Sequence, residues 1–412
     1  MISKQEKSNV QTVMVPPRDM AVLPLTLGGA TPITLMPSLL AWEQPEIVLT
    51  QIRGWYLGWA RRTMLRIFEE IGRRDAKTAD RLHTYFDELP ELGQSRFLLA
   101  PEIYSRVLDC LRDRDDLDGH VPFFLTSLRA ERMLSGIGDA PEGCWSALGD
   151  FYIDGSESLD PSRQQSNLKA SFAAPRVGDV PIDLTSPYCQ YLNSMQDCPF
   201  VPYTPMEETL LRTHLEAALA KIAFVRESAA RLFTFFVAVL VARKNPLKPR
   251  NAGSSSSTSH VGRIVFRNGH IMSIARTADC LVHEAIHTIL AVLEVSEPFA
   301  DHPEPSYPDV LVRSPWTNNE IPRRIYIHAC FVWYGLAKFW KAARQTDAFP
   351  LELVNKQLAT ALGGFRVTDP VDRLLPYRDA IRPTTLKVIA SLRCDLEKSH
   401  DLDYEPATED SV

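Results

Sequence analysis

The sequence has no surplus of positive charge and no long hydrophobic run. Its 45 lysines and arginines are outnumbered by 51 aspartates and glutamates, which gives a formal net charge of -6. Because broad nucleic-acid binding needs a basic face that neutralises phosphates, we expect no nucleic-acid partner. The longest apolar run, 232–242, is about half of the roughly 20 residues that span a bilayer, so it predicts a buried helix segment. We therefore expect no membrane span.

A cysteine framework and a secretory signal are also missing. The seven cysteines are odd in number and scattered, without the paired spacing of a zinc knuckle or a set of disulfides. Residues 1–19 are polar and lack the apolar stretch and small-residue cleavage site of a signal peptide. These features predict reduced thiols and a cytoplasmic protein.

Periodic hydrophobic residues predict a mainly helical (α+β) fold. Thr204 and Glu207 form a capping-box pattern, with Pro205 at the first helical position, that opens a long helix with at most one break. The Ser-rich stretch 244–260 predicts an exposed loop, and the alternation in 262–267 predicts a strand of a small mixed sheet near 262–274. The predicted helices cover 47–74, 79–89, 95–112, 204–243, 277–294 and 322–344.

The composition also predicts how the chain is divided. A chain of 412 residues exceeds the usual size of one core, so two domains are expected. Residues 154–183 are rich in Ser, Pro, Gln and Gly and predict a linker or long loop. It would separate a helical domain, 1–153, from a second domain, 184–398, and the acidic tail 399–412 is expected to be disordered.

The strongest chemical signal is the run His283-Glu284-Ala285-Ile286-His287 on the helix predicted at 277–294. Residues four apart share one face of a helix, with Cβ atoms roughly 5 to 6 Å apart, so two imidazoles can meet one metal ion. The alternative is that both histidines are ordinary residues of the core or the helix surface. Because two histidines and a glutamate in one apolar turn are costly to bury without a purpose, we favour a metal site in the second domain.

A metal site needs a third protein ligand, and the third histidine that follows closely in metzincins is absent here. Two downstream residues compete, His328 near the start of the next long helix and Glu320 before it. A carboxylate at that position would suit a thermolysin-like zinc peptidase, with Glu284 as general base. We favour His328.

Several spaced segments resemble a bacterial family, the HExxH-motif α-ketoglutarate-dependent peptide β-hydroxylases of peptide natural-product clusters. The resemblance covers about 204–340. It departs from the family pattern at Ile321-Pro322, where the family has Arg-Pro, and at Ala329, where it has glycine. The matching segments, in order, are 213–220 (THLEAALA), 262–264 (GRI), 281–288 (LVHEAIHT), 314–316 (SPW) and 328–331 (HACF).

The resemblance implies an Fe(II)/α-ketoglutarate-dependent dioxygenase that uses O₂ and hydroxylates a peptide or carrier-bound amino acid at the β-carbon. It implies Fe(II) ligands His283, His287 and His328, with open positions for the keto acid and O₂. The distal carboxylate of the keto acid needs an arginine. Arg324 is the first candidate, followed by Arg313 and Arg323.

Two other classes of function stay open. The first is a zinc metallopeptidase that uses His283 and His287 with Glu284 as general base. The second is a non-enzymatic interaction protein with a structural metal, although a site with an open position is unlike the closed four-ligand sites of structural zinc. In the enzyme interpretations, the domain 1–153 is expected to recognise the substrate or a partner. Oligomeric state and substrate identity are not readable from the sequence.

Overall fold

The computed structural model describes residues 25, 31–44, 46–138, 143–153, 172–194, 198–300 and 310–403. The fold is mainly helical with small mixed sheets, which confirms the predicted class. In this part of the chain no helix is both long and apolar enough to cross a membrane. Most of the tail predicted to be disordered lies outside the described residues, whereas Asp401 is buried and pairs with Lys338 and Lys341.

Helices form wherever apolar residues recur at helical spacing, and prolines and caps set several of their ends. The helix predicted at 95–112 is in fact two, because Ala100 is extended and Pro101 starts a new helix. The helices are α1 (Met36–Leu40), α2 (Glu46–Gly72), α3 (Ala76–Asp87), α4 (Glu91–Leu99), α5 (Pro101–Arg112), α6 (Leu117–Leu134), α7 (Pro187–Ser194), α8 (Pro205–Val225), α9 (Glu227–Phe236), α10 (Ile274–Ser296), α11 (Arg323–Ala343), α12 (Leu351–Val367) and α13 (Pro383–Lys398).

Within the described ranges, the strands are short and form three sheets. The five-stranded sheet has the order β4-β5-β6-β8-β7, in which β5, β6 and β8 are parallel and the two edge strands are antiparallel to their neighbours. The strands are β1 (Cys144–Trp145), β2 (Phe151–Ile153), β3 (Phe172–Ala173), β4 (Arg176–Val177), β5 (Val180–Asp183), β6 (Val239–Arg243), β7 (Gly253–Ser256), β8 (Arg263–Arg267), β9 (Leu311–Arg313) and β10 (Glu320–Pro322).

Three local predictions were wrong because strand pairing depends on distant partners. The helix expected to reach 243 ends at Phe236, and β6 follows, buried on both faces as a central parallel strand is. The exposed loop at 244–260 contains β7, which pairs with β8. Of the linker or long loop predicted at 154–183, residues 154–171 lie outside the described residues, and residues 172–183 contain β3, β4 and β5.

Most of the buried apolar side chains of both predicted domains belong to one continuous hydrophobic cluster, and a small second cluster contains Ala130, Met133, Cys144 and Ile153. Helix α1 packs on α11, and α2 packs on α9. The Trp42 indole donates a hydrogen bond to the carbonyl of Gly335 at 3.0 Å, and the Ser228 hydroxyl donates to the carbonyl of Trp42 at 2.8 Å. The division into domains stays a prediction, but α1 packs directly against α11, the helix that carries His328.

Candidate metal centre

Helix α10 carries the two histidines of the HExxH motif. Ser273 caps its N-terminus by accepting a hydrogen bond from the backbone N–H of Arg276, so the helix starts about one turn earlier than the pattern predicted. The ring centroids of His283 and His287 are 5.0 Å apart. The helical spacing therefore places the two imidazoles side by side, as predicted.

Helix α11 brings His328 to the same place. Its side chain is buried, with 1% exposed, and its Nδ1 lies 3.4 Å from Nδ1 of His287. Helices α10 and α11 lie close together at Gly335, where an added Cβ would lie 2.7 Å from Cδ1 of Ile286. Two packed helices thus join histidines that are 41 positions apart in sequence.

Neighbouring pairs of these imidazoles are spaced much as two ligands of one metal ion are. With metal–nitrogen bonds of about 2.1 Å, two ligand nitrogens lie roughly 3.0 Å apart at the right angle of a six-coordinate ion and roughly 3.4 Å apart in a tetrahedral site, with imidazole centres about 4.5 to 5 Å apart. The observed values are 3.4 Å between the nitrogens of His287 and His328, and centroid distances of 5.0 Å and 5.6 Å. Among the described residues, no three His, Cys, Asp or Glu side chains already converge as a metal-holding group.

The protonation state of His287 also suits a ligand. Burial of the ring, together with the neighbouring His283 and His328 imidazoles, lowers the pKa of His287 well below its usual value. Because only the neutral imidazole has a lone pair to give to a metal, this environment keeps the ligand form present at neutral pH.

Glu284 of the HExxH motif contacts the five-stranded sheet. Its carboxylate is buried and accepts hydrogen bonds from the hydroxyls of Ser254 at 2.8 Å and Ser256 at 2.6 Å, one on each oxygen. Both serines lie on β7, and Ser255 between them is exposed because side chains alternate along a strand. The edge strand therefore holds Glu284 at both of its oxygens.

A second glutamate of α10, Glu294, lies behind His328. Its Oε2 is 2.9 Å from Nε2 of His328, and both of its oxygens accept hydrogen bonds from Arg324. Burial alone would raise the pKa of Glu294, but Arg324 and His328 outweigh that effect and hold the pKa at about 2. Glu294 is therefore an ionised, buried carboxylate shared between a guanidinium and an imidazole.

The three arginines considered for the keto acid lie in different surroundings. Arg324 is buried against Glu294, while Arg323, the first residue of α11, is buried next to it in sequence. Arg313 on β9 is exposed and lies 3.9 Å from Glu320 on β10, which is exposed as well. The choice among them stays a prediction, although Arg324 already has a carboxylate partner.

Aromatic side chains surround the histidines. Trp333 contacts His283 edge-on with ring centroids 6.2 Å apart, and Trp316 stacks on Trp333 at 6.0 Å. On the other side, the centroid of Phe299 lies 6.0 Å from that of His328. Trp316 belongs to the Ser-Pro-Trp segment, so this segment lies against the aromatic wall of the candidate metal centre.

Sequence reasoning missed three residues that contact the site, Glu294, Ser254 and Ser256. Glu294 follows His287 by two helical turns and so lies on the same face, a signal that could have been used. The two serines carried no such signal, because their contact with Glu284 depends on the register of β7 beside α10.

Comparisons with known proteins add no family assignment. A scan against protein-family models finds none that matches this chain, and a search of curated proteins finds no match.

Proposed function

We propose that this chain is an Fe(II)/α-ketoglutarate-dependent oxygenase. It hydroxylates an amino-acid side chain, at the β-carbon, in a peptide or carrier-bound substrate during natural-product biosynthesis in the cytoplasm. The observation that carries the proposal is the position of His328, whose Nδ1 lies 3.4 Å from that of His287. A site of three imidazoles leaves open positions for a keto acid and O₂.

Each residue of the proposed site has a distinct task. The imidazoles of His283, His287 and His328 would hold Fe(II), which with α-ketoglutarate and O₂ would supply the oxidising power needed to hydroxylate a carbon. Trp333 and Phe299 flank the outer histidines and exclude water from their faces. The helices of 1–153 pack against this part of the chain, which supports their proposed role in recognising the substrate or a partner.

The zinc peptidase interpretation fits the contacts less well. A general base must reach a metal-bound water, yet both carboxylate oxygens of Glu284 accept hydrogen bonds from β7 serines. The alternative third ligand, Glu320, has a side chain that is 60% exposed and lies near Arg313. Its rival, His328, lies beside His287 in the protein interior.

The test is conversion of α-ketoglutarate to succinate by protein purified anaerobically and supplied with Fe(II). We expect wild type to bind iron and to release succinate, and His328→Ala to lose both activities. His83→Ala is the matched control, because His83 packs edge-on against Phe68 in the N-terminal helices and should leave turnover unchanged. Tightly held zinc without keto-acid consumption, together with chelator-sensitive peptide cleavage, would contradict the proposal and favour the peptidase.

A further inference from the structure

We propose that Glu294 is a positioning residue that acts through His328. By accepting the Nε2 proton of that ring, it leaves Nδ1 as the nitrogen that binds the metal. The proposal rests on the proposed metal site, but it concerns a residue outside the HExxH motif and outside the short segments that carry the resemblance.

The geometry around His328 gives its two nitrogens different partners. Nε2 lies 2.9 Å from Oε2 of Glu294, and Nδ1 lies 3.4 Å from Nδ1 of His287. A neutral imidazole carries one proton, so one nitrogen donates and the other offers a lone pair. Because Arg324 donates to both oxygens of Glu294, that carboxylate is placed as an acceptor for an Nε2 proton, which leaves Nδ1 facing His287.

Arg324 fixes the carboxylate itself. Its Nε and Nη2 atoms both donate to Glu294, which is a two-point contact that sets the plane of the carboxylate as well as its distance. The guanidinium of Arg324 also forms a buried ion pair with this carboxylate. Arg324, Glu294 and His328 therefore form a chain of contacts that ends at the nitrogen facing the candidate metal position.

The same chain explains why a carboxylate is buried here at all. A buried ion pair contributes little to stability beyond what apolar residues of similar volume would give. Carboxylates that accept from the outer nitrogen of a ligand histidine fix the tautomer and the ring orientation, and they make the ligand more basic. Losing such a partner typically lowers metal affinity by roughly 10- to 100-fold.

The purely structural alternative is that Glu294 only neutralises Arg324. A matched control exists on α6, where Glu131 is equally buried and accepts hydrogen bonds from Arg96. Glu131→Gln removes a carboxylate from a buried pair without touching a histidine. A structural role predicts the same consequences for both glutamates, whereas a positioning role predicts a change in metal binding only for Glu294.

The first measurement is the affinity of the full-length chain for Co(II), followed by its visible absorption. We expect Glu294→Gln to weaken Co(II) binding by about 10- to 100-fold and to alter the spectrum of the bound ion, while Glu131→Gln changes neither. Equal affinity in wild type and Glu294→Gln would overturn the proposal. A parallel loss in Glu131→Gln would also overturn it, since the effect would then be general to buried pairs.

The second measurement needs no metal. With nitrogen-15 in its histidines, the metal-free chain should show His328 as the Nε2–H tautomer, identified by the loss of its signals in His328→Ala. We expect Glu294→Gln to shift His328 towards a mixture of tautomers. An unchanged Nε2–H tautomer in Glu294→Gln would show that the carboxylate does not set it.

The double variant Glu294→Gln/Arg324→Gln separates weak metal binding from a folding defect. It removes both charges, so it leaves no unpaired ion to destabilise the fold. It should bind Co(II) as weakly as Glu294→Gln. Double-variant binding at the wild-type level would contradict the positioning role. The proposed function fails separately, if wild type binds metal with the predicted dependence on Glu294 yet consumes no α-ketoglutarate.

Discussion

Two buried glutamate–arginine pairs in this chain are built alike but have different third partners. Glu294 on α10 pairs with Arg324 on α11, and Glu131 on α6 pairs with Arg96 on α4; each glutamate is 1% exposed. In the second pair the arginine is shared, because Arg96 also donates to Asp150. In the first pair the carboxylate is shared, because Glu294 also contacts His328.

The difference separates a structural contact from a contact that serves a site. Around Arg96 the charged groups pair with one another. Asp150 also accepts hydrogen bonds from Arg176 and from the Ser146 hydroxyl. These side chains link α4 and α6 to the short strands that follow them in the chain. At Glu294 the carboxylate makes its further contact with a single imidazole, that of His328. A buried pair whose acceptor reaches a third, functional group can therefore organise that group.

The largest expected effect comes from removing each arginine. Arg96→Met and Arg324→Met each leave buried carboxylates without their cation, so each should lower the free energy of unfolding by about 3–5 kcal/mol. Chemical denaturation measures this. Only Arg324→Met should also weaken Co(II) binding, because only its partner contacts a proposed ligand. If Arg324→Met bound Co(II) with wild-type affinity, the two pairs would not differ in their effect on metal binding.

The next effect tests the ligands themselves. His287→Ala removes a central imidazole and should weaken Co(II) binding at least about 100-fold, which corresponds to roughly 2.7 kcal/mol. Isothermal titration of the metal-free chain gives the affinity, with His83→Ala as the control. If His287→Ala bound Co(II) as tightly as wild type, the metal would not be held at α10.

A third prediction compares the two glutamates of α10. Glu284 accepts hydrogen bonds from serine hydroxyls, whereas Glu294 accepts them from an arginine. Ser254→Ala and Ser256→Ala should each cost about 1–3 kcal/mol, because each leaves a buried carboxylate oxygen without its donor. Ser255→Ala, the exposed serine between them, should be within about 0.5 kcal/mol of wild type. Equal stability of all three variants in denaturant would show that the serines do not hold Glu284.

The smallest effect concerns a glutamate near the surface, Glu207, which forms the capping box of α8 and pairs with Lys244. The backbone hydrogen bond at Thr204 and the Lys244 contact lower the pKa of Glu207 from 4.5 to about 2. A lowered carboxyl pKa gives stability that is present above the unfolded value and is lost as pH falls through the folded one. The stabilisation by Glu207 should therefore disappear between about pH 4.5 and about pH 2.

Glu207→Gln should accordingly cost about 1 kcal/mol at pH 7, and the difference from wild type should vanish near pH 2. Glu208→Gln, which removes the same charge from the same helical turn but lies outside the box, is the control. A cost for Glu207→Gln that does not change with pH would show that the ionised carboxylate is not what stabilises the helix start.

Much of the helical fold could be predicted because helices depend on neighbours in sequence. The pattern at 47–74 became α2 (Glu46–Gly72), and the capping box of α8 formed as expected. Strands were harder, because β7 is a run of serines with little strand preference, and it is a strand only since β8 offers an edge to pair with. The apolar run at 232–242 gave no period that could separate helix from strand.

The contacts of the candidate site also divide into those that are local in sequence and those that join distant segments. His283 and His287 are four residues apart on one helix, so their contact is local and follows from the sequence. The approach of His328 depends on the packing of α10 against α11, and so does the contact of Glu294 with His328. The sequence pattern alone left His328 and Glu320 both open.

The central claim is that His283, His287 and His328 hold one iron ion, and anomalous scattering at the iron absorption edge tests it most directly. Crystals of the full chain, grown anaerobically and supplied with Fe(II), should show one strong peak within bonding distance of ring nitrogens of all three histidines. A peak that contacts His283 and His287 but not His328, or no peak at α10 in iron-loaded crystals, would contradict the account.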